Sequence, residues 1–164
     1  MRSPRSANAI GVVDEYGRGL HLVRLHFSVE PGRTGVGFVG TYSPSVTAVR
    51  SMQRRVAEAL RTEGFAWPDG FVRIASDPEV RELDPTLDLA IAIGLLRASG
   101  QWGLGMPEGV AYVGELGSGG VIRLPWVSIG DIEKLGDRHH LADVVAGNGR
   151  LTIGQLVHCV KTAA

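Results

Sequence analysis

The segment LDPTLDLAIAIGLLRASG, residues 83–100, restricts this chain more than any other. Asp84 carries the side chain of a helix N-cap, and Pro85 suits the first helical position, where its missing N–H is not needed. The helix that follows is apolar nearly all round, and such a helix is stable only when it is covered on most sides. Its strongly apolar run, residues 89–96, is far shorter than the roughly 20 residues that span a bilayer. It predicts a helix buried in a folded domain and packed against a sheet. A chain of 164 residues suffices for one such core and leaves little room for two.

The material for the sheet lies on both sides of this helix. Residues 10–13 and 19–29 are rich in Val, Leu and Phe, and in the second run Leu20 and Leu22, then Leu25, Phe27 and Val29, alternate with polar neighbours. That is strand periodicity, with a slip near Val23 that predicts a bulge. Gly17 and Gly19 separate the two runs, and EPGRTG leads into a third strand, VGFVG, so the chain opens as an antiparallel sheet. Val46, Val49, Met52, Val56 and Leu60 then recur at helical spacing behind a Ser-Pro start and before Gly64. FVRIAS alternates as a strand, and GVAYVGELGSGGVIRLP reads as two strands joined at residues 117–120. A short helix around residues 129–135 and another over 152–162 complete the order βββ, α, β, α, ββ, α. The 23 glycines cluster between apolar runs, as many short elements and tight turns require. The fold class expected is α+β, a two-layer sandwich rather than a doubly wound parallel sheet. Its divisions are a flexible N-terminus over 1–9, a domain over 10–135 and a helical extension over 136–164.

Bulk properties exclude several functions. Apolar residues at 44% and charged residues at 21% argue against both disorder and a long coiled coil. Zero formal charge and a pI near 7.0 leave no global field toward nucleic acid or an anionic membrane, so any such binding is local. Cys159 is the single cysteine, which rules out an intrachain disulfide framework, and no apolar signal core opens the chain. A cytoplasmic setting is expected. A phosphate-binding P-loop needs Gly-Lys-Ser/Thr, yet the two lysines, Lys134 and Lys161, follow Glu133 and Val160. No Walker motif exists in this sequence.

Three segments, GFVGTYSPSVTAVRSMQRRVAEALRTEGFAWP, LDPTLDLAIAIGLLRASGQ and YVGELGSGGVIRLP, in this order and at these separations, resemble the N-terminal domain of the Mg-chelatase-like (ComM-type) AAA+ ATPases. The resemblance covers roughly residues 10–127, and HHLADVV near residue 140 is similar to the family's region just before the ATPase module. It implies a ribosomal protein S5 domain 2-like fold, shared with the Lon proteolytic domain, that contains a left-handed βαβ crossover against the usual rule. It also implies a domain that works beside a hexameric AAA+ motor acting on branched DNA, the motor here being absent or supplied by another polypeptide.

The Lon-like relationship implies a serine at the start of the buried helix and a lysine that takes its proton. Aligned through the Pro of DPTLDLAIAI, the serine position holds Thr86. Aligned through the Leu-Pro of VIRLP, the lysine position holds Gly130, with Lys134 a helical turn further on. The dyad is broken, and Thr86 reads as a cap with only a vestigial claim to be a nucleophile.

Four arginines form the best nucleic-acid candidate. Arg50, Arg54 and Arg61 lie within about 40° of one another on a helix, with Arg55 beside them. Their bland reading is a solvated face partly balanced by Glu58. His139, His140, His158 and Cys159 have the wrong spacing for zinc, and no metal is expected. Asp77, Glu79, Glu82, Asp84 and Asp88 suit a helix N-terminus. Trp67, Trp102 and Trp126 sit beside Gly or Pro, where they anchor a partner or cover the core edge. The function expected is a non-catalytic binding or assembly module without a cofactor. Its partner is a second copy or an AAA+ ATPase or helicase in trans, possible DNA contact running through the arginines. A divergent hydrolase centred on Thr86 is the remaining alternative.

Overall fold

A computed structural model describes residues 5–14, 19–40, 43–102, 109–123, 129–147 and 152–156. The apolar helix, α2 (Asp88–Ser99), is buried at ten of its positions. Leu89, Ile91, Ile93, Leu95 and Leu96 are fully enclosed, each contributing about 1.5–3 kcal/mol relative to exposure. Asp84 starts the segment as expected, its carboxylate accepting from the Thr86 N–H, and Pro85–Leu87 form a 3-10 turn before α2. Gly100, at φ 72°, ends it in the left-handed region.

Two glycines bring α2 close to the sheet. A methyl on Gly94 would fall inside the Phe27 ring, and one on Gly11 would meet Leu87 at 2.6 Å. The sheet has six strands: β1 (Arg5–Asp14), β2 (Leu20–Glu30), β3 (Gly35–Val39), β4 (Phe71–Asp77), β5 (Val110–Val113) and β8 (Asp143–Ala146), in the order β3-β4-β2-β1-β5-β8. A separate ribbon pairs β6 (Glu115–Leu116) with β7 (Ile122–Arg123). Helix α1 (Val46–Thr62), capped by the Ser45 hydroxyl, packs beside α2 through Met52, Val56 and Leu60. The structure is the expected α+β fold with these two helices as one layer.

The bulge expected near Val23 is absent, for β1 and β2 pair without interruption from Arg5 opposite Val29 to Asp14 opposite Leu20. The apparent slip has another cause. Val23, Leu25, Phe27 and Val29 face α1 and α2, whereas Leu20 packs on the opposite face with Val12, Val113 and the residues Ile132 and Leu135 of α3 (Ile129–Arg138). Both faces of the sheet are covered here, so apolar residues of both parities occur in one strand.

The placement of α3 also decides handedness. The connections β3-α1-β4, β4-α2-β5 and β5-α3-β8 each join parallel strands and step the same way across the sheet. Since α1 and α2 lie on one face and α3 on the other, the third crossover has the opposite hand to the first two. At least one is left-handed, as the resemblance implies. Two expected boundaries are corrected. β1 begins at Arg5, inside the supposed flexible terminus, and β8 adds a parallel edge strand within the supposed helical extension. Of the last expected helix only residues 152–156 are described, with Ile153 and Leu156 in the core.

Gly94→Val should destabilise the protein by about 3 kcal/mol in urea unfolding, because the added bulk meets a ring with no room to move. Adding Phe27→Leu should recover part of that loss. Strict additivity of the two changes would contradict the contact.

Candidate functional site

The candidate site is the start of α2, where the resemblance places a nucleophile. Its backbone is held by a short loop: the Gly114 N–H donates to the Thr86 carbonyl (2.9 Å), and the Leu89 N–H donates to the Gly114 carbonyl (3.1 Å). Thr86 is 3% exposed, and its hydroxyl donates to the Val12 carbonyl at 3.1 Å. The one proton of that hydroxyl is thus committed to the β1 backbone. Lys134 lies on α3, which packs on the other face of the sheet, and is exposed. Among the described residues no lysine comes to Thr86.

Two residues further on, Asp88 is fully enclosed and takes a two-pronged bond from Arg55 of α1, Nε to Oδ2 at 2.7 Å and Nη2 to Oδ1 at 3.0 Å. The Leu116 N–H of β6 donates to the same Oδ2 at 3.2 Å. Burial pushes the Asp88 carboxyl up to about 6, and the bond and charge of Arg55 oppose that rise without cancelling it. The hydrogen bond to Asp88 raises Arg55 above its ordinary value. The spacing of 33 residues hides this pair, although one acidic residue in an otherwise apolar helix demands a cationic partner.

Arg55 therefore turns away from the stripe expected of it. Arg50, Arg54 and Arg61 are exposed and make no ion pair with any described residue, Glu58 included. The acidic stretch is divided among separate tasks. Asp84 caps the turn, Asp88 holds Arg55, and Glu79 and Glu82 line a cavity of 310 Å³ with Asp14, His21 and Arg81. His139 and His140 are exposed beyond the end of α3, while His158 and Cys159 lie outside the described residues. Among the described residues no group of three or more His, Cys, Asp or Glu comes together as a metal site. Trp102 is 9% exposed and Trp67 packs on the same core, so both cover its edge. Trp126 lies outside the described residues.

A family model described as subunit ChlI of Mg-chelatase matches residues 27–142. The match runs from within β2 to the residue before β8 and contains the Thr86–Asp88 junction. No curated protein matches the chain.

The raised Asp88 group gives a signed pH dependence. The native state keeps that proton to about pH 6, whereas an unfolded carboxyl releases it near 3.8, so stability falls as pH rises through this window. Urea midpoints measured across it should show a descending component that Asp88→Asn lacks. Above the window, Arg55→Ala should cost about 3 kcal/mol by stranding the carboxylate. Parallel pH profiles for the parent and Asp88→Asn would refute the assignment.

Proposed function

The chain belongs to the family of the ChlI subunit of Mg-chelatase, and from that premise we propose that it is a non-catalytic binding and assembly module. It associates with a second copy or docks on an AAA+ ATPase or helicase. The observation that carries this reading is the commitment of the Thr86 hydroxyl to the Val12 carbonyl in a buried position. A nucleophile needs a base on its proton and an open approach to its oxygen. Thr86 has a backbone acceptor in place of the first and packed neighbours in place of the second. That geometry weighs against a divergent hydrolase. The sequence, with no Gly-Lys-Ser/Thr, gives no support to ATP hydrolysis by this chain. The reading includes a cytoplasmic setting; no helix among the described residues is long and apolar enough to cross a membrane.

A second reading, nucleic-acid binding, is favoured by one observation. Arg50, Arg54 and Arg61 stand exposed on α1 without ion pairs among the described residues. Such groups are free to neutralise phosphates, and each phosphate contact removed would lower the salt slope of binding by about 1.

Purified protein should hydrolyse neither ATP nor peptides. Light scattering after size-exclusion chromatography, with affinity capture from the native host, should reveal an oligomer or an ATPase partner. A monomer that recovers nothing would count against the assembly reading. Titration of branched DNA at two salt concentrations decides the second, since Arg54→Ala and Arg61→Ala should weaken binding and flatten its salt dependence. Unchanged affinity removes the arginine face.

A further inference from the structure

β1 pairs with β2 along its whole length but with β5 at a single position, Ile10 opposite Ala111. No further register pair joins these two strands among the described residues. Beside them opens a cavity of 90 Å³ lined by Asn8, Arg24, His26, Arg97, Gly109 and Val110, among others. Arg24 and His26, two residues apart on β2, lie on the same side of the sheet. Arg97 reaches the opening from the last turn of α2.

The hydrogen bonds of these groups are incomplete in one direction. Arg97 Nη1 donates to the Asn8 carbonyl at 2.8 Å, and its guanidinium carbon stands 5.7 Å from the centre of the Tyr112 ring. Stacking of that kind satisfies the face of a guanidinium, whereas its N–H groups point outward in the plane. Nη2 is buried and has no hydrogen-bond partner among the described residues. A buried cationic donor left unmet is costly, and it calls for an acceptor. Among the described residues no carboxylate lines the cavity. Asp77, the register partner of Arg24 on β4, makes no ion pair with it. His26 Nδ1 lies 2.6 Å from Asn8 Oδ1. An amide oxygen only accepts, so Nδ1 carries the proton, and Nε2 of the neutral ring can accept from the P–OH of a monoprotonated phosphate.

We propose that this cavity beside β1 and β5 binds a phosphate group, held by Arg24 and Arg97 with His26 beside them. Guanidinium forks match a tetrahedral oxyanion in geometry and charge. The cavity, 90 Å³ and open to solvent on one side, has the scale of a phosphate group rather than of a whole nucleotide. The group is either free phosphate or the monoester end of a nucleotide.

The full chain is titrated with inorganic phosphate and separately with AMP, following melting temperature and the ¹⁵N signal of the Arg97 guanidinium. At least one probe should raise the melting temperature in a saturable way and shift that signal. A response to phosphate alone identifies the free anion, and a response to AMP only identifies the monoester. Arg24→Ala and Arg97→Gln should each weaken the affinity about tenfold or more, the loss of a charge-assisted bond, while Arg33→Ala, an exposed site just before the opposite edge strand β3, leaves it unchanged. Arg24 is exposed, so its variant keeps the test decisive if Arg97→Gln fails to fold. No response to either probe, or equal responses in the parent and Arg24→Ala, would overturn the proposal.

Discussion

The rest of the structure depends on how Asp88 is held at the first residue of a buried helix. α2 is covered by the sheet on one side and by α1 and the β6–β7 ribbon elsewhere, so a carboxylate at its start has no route to water. Arg55 and the Leu116 N–H meet it from two different elements. This bond is weak testimony to stability, because desolvation offsets much of the attraction. Its stronger effect is on arrangement. It sets the rotation of α1 against α2, with Met52 and Val56 inward and Arg50, Arg54 and Arg61 outward.

The same packing explains why the start of α2 is structural. Thr86 and Asp88 occupy a junction where the β1 backbone, the loop at Gly114 and α1 converge, and each polar atom named there has a partner within the protein. The polar groups of this junction serve to close the core. The arginine face of α1 and the opening lined by Asn8, Arg97 and Gly109 lie further out.

Local features were legible in the sequence because local interactions produce them. The Asp84 cap, Pro85, the Ser-Pro start of α1, the glycine stops and the alternation of β2 each depend on neighbours within a few residues. The quoted segments carried the fold class as well. What escaped depends on distant residues. The slip at Val23 looks like a bulge until α3 is seen to cover the opposite face. β8 is four residues long and becomes a strand by pairing with β5. Arg55 looks like one more surface cation until α2 is set beside it. The Arg97 opening cannot be read from spacing at all, since it lies between two strands from distant parts of the chain that share one register pair.

The central claim, that the hydroxyl at the nucleophile position is a structural group, is tested most directly by NMR of the Thr86 hydroxyl proton in the full chain. A buried hydroxyl bonded to a backbone carbonyl exchanges slowly with water, so the account predicts a resolved resonance with cross-relaxation to β1 around Val12. A hydroxyl proton lost to fast exchange, together with covalent capture of Thr86 by an electrophilic phosphonate, would contradict it.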